Sequence, residues 1–209
     1  MNNKRFPIRR GAVTAAAGAA ALLLAACGSG DGGSAGHTGH SSPSTASAPA
    51  QASRGQHNAA DVAFAQGMIP HHRQAVEMAD LAPDRARSAE VRKLAEDIRK
   101  AQGPEIRTLS GWLASWGEEV PSEGVANHSA HDMEGMMTGE EMEQLENASG
   151  TAFDTAFMKM MIRHHEGAVK MARAEQADGA YAPARKMAGQ IISSQTAEIE
   201  KMNELLGKG

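Results

Sequence analysis

The chain has one cysteine in 209 residues, Cys27, so no disulfide can form within it. Aromatic residues make up only 3% of the sequence and runs of β-branched residues are scarce, which removes the residue types that favour strands. A Walker loop is absent, and the matches to G-x-G-x-x-G (Gly28 to Gly33) and G-x-S-x-G (Gly32 to Gly36) fall in a Gly/Ser-rich stretch without the strand-and-helix setting either motif needs, so catalysis with an organic cofactor has no support and the chain is not expected to be an enzyme. Basic charge is short as well. Four of the 21 basic residues, Lys4, Arg5, Arg9 and Arg10, lie in a leading segment that reads as removable, leaving 17 against 25 acidic residues and no basic face for nucleic acid. What remains is a 41% hydrophobic content typical of one folded domain, rich in Ala, Met, Glu, Lys, Arg and Gln, which points to an all-α fold.

Residues 1–27 combine a positive start ending in Arg9-Arg10, an apolar stretch from Ala12 to Leu24, and Leu24-Ala25-Ala26-Cys27. The apolar part is too short and too rich in Ala and Gly for a permanent membrane span, so the segment reads as an export signal. Its ending looks like a bacterial lipobox, in which Cys27 would be lipidated and become the new N-terminus; a chance cysteine after an ordinary signal is the alternative. Arg9-Arg10 leaves the twin-arginine route open. Residues 28–57 are mostly Gly, Ser, Ala, Thr and Pro and cannot bury enough surface to offset ordering, so they read as a disordered tether in which His37 and His40 are incidental.

The rest of the chain is a duplication. FAQGMIPHHRQAVEMA, Phe64 to Ala79, recurs as FMKMMIRHHEGAVKMA, Phe157 to Ala172, at an offset of 93. The offset holds through a following helix: Arg92/Arg185, Lys93/Lys186, Ala95/Ala188, Ile98/Ile191, Gln102/Gln195, Glu105/Glu198, Ile106/Ile199 and Leu113/Leu206 coincide. Each copy is therefore a helical hairpin, residues 58–116 and 151–209. In the first, a helix capped by Asn58 or Asp61 should reach about Leu81, and a second should run from about Ala86 to Trp116 on a 3.6-residue apolar period. Because the second copy has Thr196-Ala197 opposite Gly103-Pro104, and Arg163 opposite Pro70, Pro104 is expected to kink its helix rather than end it, and Pro70 to bend a helix or open a shorter one. The crossover, residues 117–150, holds a polar linker and then a short helix opened by Thr138 and Glu141 in a capping box and closed before Gly150. Two hairpins joined by one long crossover make a four-helix bundle.

Residues three, four and seven apart share a helix face, which aligns Met68, His71, Ala75 and Met78 with His72 and Asp61 beside them, and Met161, His164, Ala168 and Met171 with His165 and Asp154. Imidazole and soft thioether ligands suit Cu(I), and by analogy Ag(I); imidazole alone also suits Zn(II) or Cu(II). A methionine stripe is by itself compatible with core packing. Paired histidines are harder to place there, since a buried imidazole needs a partner. Metal ligation through Met68, His71, His72, Met78, Met161, His164, His165 and Met171 is the favoured reading. Glu105 and Glu198 are candidates to accept an imidazole N–H and fix the tautomer, or are helix-edge charges. Asp61 and Asp154 are further supporting candidates, or helix caps. In the crossover, His128, His131, Met133, Met136 and Met137 form a soft-metal cluster, read as a capture site or as a polar loop whose Met136 and Met137 dock on the bundle.

The two MIxHHxxAVxMA segments, the Q-x-x-E-I that follows each, and Phe153-Asp154 resemble the domain of unknown function 305 family over about Asp61 to Leu206. The resemblance implies a ferritin-like, extracytoplasmic four-helix bundle, with some members tied to copper or silver through the methionines and histidines named above. A methionine three residues after E-I, present as Met202, is Leu109 in the first copy, which with Gly67 and Pro70 implies a weaker first half-site. The expectation is a lipid-anchored protein on the extracytoplasmic face of a bacterial membrane that captures, buffers or hands Cu(I) to a transfer partner. A diiron bundle is the first alternative, although Met and Ile, not Glu, stand three residues before the histidines. A metal-free envelope interaction bundle is the second.

Overall fold

The computed structural model describes residues 56–122 and 134–207, and among these there are six helices and no strand. Helix α1, Ala59–Asp80, opens on a capping box in which the Asn58 side chain accepts from Ala60 and Asp61 amides while Asp61 accepts from the Asn58 N–H at 2.7 Å. It runs unbroken through Pro70, and α3, Ala89–Trp116, runs unbroken through Pro104. In both helices buried apolar residues lie on either side of the proline, and that burial outweighs the one backbone bond a proline removes.

Between them Ala82–Arg85 forms a one-turn helix, α2, with Pro83 in its first turn where a missing N–H costs nothing. The third helix starts three residues later than the periodicity implied, because the Arg87 and Ser88 amides are claimed by a carboxylate from elsewhere in the fold and Ser88 is the N-cap. Gly117, at φ 78°, ends α3 with its N–H and that of Glu118 turned back onto Ala114 and Leu113 carbonyls. Helix α4, Gly139–Asn147, has the Thr138/Glu141 capping box expected of it. The second hairpin is α5, Gly150–Asp178, and α6, Ala182–Leu206.

The first hairpin pairs α1 with α3, the second α5 with α6, and the two meet through α1 and α5. One core cluster joins Ala75, Met78 and Ala79 of α1 to Phe153, Phe157 and Met161 of α5, together with Val91, Leu94 and Ile98 of α3. The other joins Phe64, Met68 and Ile69 to Ala168 and Ala172, with Leu109 and Leu113 of α3 and Ala184, Ala188 and Ile191 of α6. The start of α1 thus packs on the end of α5 and the reverse, so these helices are antiparallel and related by an approximate two-fold axis. The product is a four-helix bundle of two duplicated hairpins, with the short α4 in the crossover. Between its two apolar clusters lies a polar layer.

Candidate metal centre

The polar layer is where α1 and α5 cross. His71, His72, His164 and His165 are all fully buried there, and the His71 and His164 rings lie 3.8 Å apart between centroids, tilted 43°. Small Ala75 and Ala168, both fully buried, keep the neighbouring turns clear. Burial, and next the neighbouring histidines His72 and His165, hold His71 down at about 3, with the Glu134 carbonyl working in the opposite direction. Burial and then His71, His165 and His72 likewise hold His164 well below the ordinary imidazole value. Both rings are therefore neutral at physiological pH, the form that ligates metal.

The outer histidines are tethered symmetrically. His72 Nε2 lies 2.8 Å from Glu105 Oε2, and His165 Nε2 lies 2.5 Å from Glu198 Oε2. A carboxylate only accepts, so Nε2 carries a proton in each ring, and in the neutral imidazole Nδ1 is then the nitrogen with the lone pair. Glu105 and Glu198 thus hold the places their spacing suggested. His72 Nδ1, His165 Nδ1 and both nitrogens of His71 and of His164 are buried without a hydrogen-bond partner, as are Gln102 Oε1 and Gln195 Oε1. Such groups are costly to leave unpaired in a folded protein.

Methionines lie in the apolar clusters on both sides of this layer, but not copy by copy. Met161 shares its cluster with Met78 of the first copy, and Met68 lies in the cluster against which Met171 of the second copy packs. Met68, Met78 and Met161 are fully buried and Met171 is half-buried. Met202 joins Met78 and Met161, whereas its mate Leu109 joins Met68, so the thioether-rich side is built from both repeats. The signal for Met202 was its alignment with Leu109. Among the described residues no three His, Cys, Asp or Glu side chains converge as a ready cage; what is preformed is an imidazole pair between methionines.

Asp61 and Asp154 do not serve the histidines. Asp61 lies ten residues before His71, about 15 Å along the helix. Its carboxylate accepts from the Ala180 and Tyr181 amides at 3.1 and 2.9 Å, at the start of α6. Asp154 accepts from Arg87 and Ser88 at 3.1 and 2.9 Å, at the start of α3. These pairs are related by the same offset of 93, so each aspartate ties its own helix to the far hairpin's turn.

The crossover reading also changes. Cys27, His128, His131 and Met133 lie outside the described residues. Met137 is buried in the core and Met136 half-buried, so Met137 belongs to the packing and not to an open capture site.

One buried acid has no counterpart in the first copy. Glu175 is almost fully buried and stands beside Asp61; its mate at the offset is Ala82. Burial, then hydrogen bonding to Asp61 and the Asp61 charge, push the Glu175 carboxyl up to about 8, while Arg185 opposes the shift. The folded state therefore holds a proton that the unfolded chain releases near its ordinary value of 4.5. Stability from this group is complete at low pH and is lost as pH rises toward 8. Glu175→Gln, which keeps a donor toward Asp61, is expected to flatten the decline in urea midpoint between pH 6 and 8 that the unaltered protein should display.

Residues 61–206 match the domain of unknown function DUF305. No curated protein matches the chain. Among solved structures, a DUF305 protein of Streptomyces coelicolor described as a putative secreted protein is similar at 34% identity, over 71% of this chain and 91% of its own, with a TM-score of 0.65. A DUF305 fragment from Deinococcus radiodurans is similar at 32%, over 73% and 98%, with a TM-score of 0.65. CopM in its Cu(I)-bound form is similar at 31%, over 71% and 96%, with a TM-score of 0.60, and CopM structures with Cu(II) and with Ag also match.

Proposed function

The chain belongs to the DUF305 family, and from that premise we propose that it is an extracytoplasmic, lipid-anchored metal-binding protein that captures, buffers or transfers Cu(I) or Ag(I) through imidazole and thioether ligands. The observation that carries this reading is the set of six buried imidazole nitrogens without a partner at the α1/α5 crossing. Two of the six carry the protons of neutral His71 and His164, and a cation supplies what the four lone pairs on the others lack. The tautomers set by Glu105 and Glu198 turn one nitrogen of each outer ring free for the ion. Neutral donors flanked by sulfur favour a soft monovalent ion over Zn(II). That CopM, about a third identical, has been crystallised with Cu(I), Cu(II) and Ag supports the same choice of metal. A diiron centre is less well served, because carboxylates and histidines do not gather in threes among the described residues.

In competition titrations the protein lacking residues 1–27 should hold Cu(I) more tightly than Zn(II). Replacing His164 and His165 by alanine should lower stoichiometry or affinity with helicity retained; an unchanged Cu(I) titration would sink the assignment. The Leu-Ala-Ala-Cys ending and the secreted relative support export and anchoring. No described helix is long and apolar enough to cross a membrane. Cys27→Ser should therefore move the protein from the membrane fraction to the soluble one, and continued membrane association counts against lipidation.

A further inference from the structure

The histidine layer has two faces of different construction. On one, α1 and α5 pack directly and residues 134–137 lie across them. Gln74, one turn beyond His71, donates to the Met137 carbonyl at 2.9 Å and accepts from the Met137 N–H at 2.7 Å. Arg163, next to His164, reaches the Met137 sulfur at 2.8 Å and Glu141 at 2.5 Å, and Lys170 pairs with Glu134. Gly135 adopts φ 89°, and a Cβ there would stand 2.8 Å from the Arg163 carbonyl; a Cβ on Gly167 would collide with the Glu134 carbonyl. Gln74 and Gly167 are mates at the offset of 93, one binding this strap and the other making room for it. The Glu134 carbonyl faces the His71 ring without reaching hydrogen-bond geometry. Every element at this crossing is thus bound to the strap on that side.

The opposite face is built by α3 and α6, which share side chains in both apolar clusters. Their backbones approach each other at few points. From them Glu105 and Glu198, with side chains 22% and 20% exposed, reach inward to imidazoles that are completely buried. Each carboxylate touches solvent and a candidate ligand at once, which no other described acid does at this layer.

We propose that a soft cation enters and leaves the histidine layer between α3 and α6, past Glu105 and Glu198, and not through the α1/α5 face. The carboxylates attract the hydrated cation and pass it to the lone pairs they have oriented, while the strap keeps the other side shut. This rests on the metal-binding reading above and adds the route to it.

The test uses Cu(I) delivered from, and withdrawn to, a chromophoric chelator in stopped flow. The double variant Glu105→Gln/Glu198→Gln should slow loading by about tenfold at low ionic strength, and salt should shrink the difference. Gln74→Ala and Gly167→Ala, which loosen the strap from α1 and α5 respectively, should leave the loading rate within about twofold; circular dichroism shows which of the two remains folded. Acceleration by tenfold in either strap variant, or unchanged loading in the glutamine double variant, overturns the route. A second arm needs no metal: diethyl pyrocarbonate on the metal-free protein should modify His72 and His165 before His71 and His164. The reverse order overturns the route even where Cu(I) titration has failed, and failure of that titration alone indicts the function instead.

Discussion

Replacing His71 and His164 together by leucine is expected to abolish tight Cu(I) and Ag(I) binding while making the metal-free protein more stable. The two rings are fully buried, 3.8 Å apart, and their four nitrogens have no partner. Each unpaired buried group costs about 1–3 kcal/mol, whereas an apolar side chain of similar volume in the same place costs nothing in lost hydration. A rise of about 2 kcal/mol in unfolding free energy follows, allowing for imperfect packing of leucine in a flat imidazole space. Urea unfolding of metal-free protein and a Cu(I) competition titration read the two halves separately. The unaltered protein should recover stability on adding Cu(I) by mass action, and the double variant should not respond. A double variant that is strongly destabilised and still binds would mean that these two histidines serve the core and that the metal is held elsewhere.

The second large effect lies at the ends of the bundle. Asp154→Ala should cost about 3 kcal/mol, because the two part-buried, charge-assisted hydrogen bonds that its carboxylate accepts from the Arg87 and Ser88 amides are lost. For a bundle of this size that is a fall of about 10 °C in melting temperature. Asp61→Ala removes acceptors for Asn58, Ala180 and Tyr181 but also relieves the charge beside Glu175, so its loss should be the smaller relative to the number of bonds broken. Neither change should alter Cu(I) stoichiometry, since both carboxylates sit about 15 Å along their helices from the histidines. A drop in stoichiometry with either variant would return these aspartates to the metal site.

Glu105 and Glu198 were legible in the sequence because a helix has fixed periodicity: they recur at the offset of 93, on the inward stripe of the second helix, facing a histidine on the first. Thr138 and Glu141 were legible for the same local reason, as an N-cap and its partner three residues on. Asp61 and Asp154 were misplaced as supports for the histidines because their spacing within a helix is equally consistent with that role. Their partners, 119–120 and 66–67 residues away, are backbone amides, which carry no side-chain identity to read. Met137 appeared to belong to an open Met/His loop for a similar reason: the contacts that bury it come from Gln74 and Arg163 on two separate helices.

By itself the sequence determined an all-α chain, its duplication, the extent of most helices, and the soft donor types on one face of each repeat, since all of these follow from local periodicity and side-chain chemistry. Only the tertiary structure decided that the two motifs do not form two sites side by side. Antiparallel crossing of α1 and α5 stacks His71 on His164, sets Met161 with Met78, and leaves Met68 near Met171. The physical reason is that helix orientation is fixed by which apolar stripes bury against each other and by where the crossover runs, and neither is encoded within a single helix.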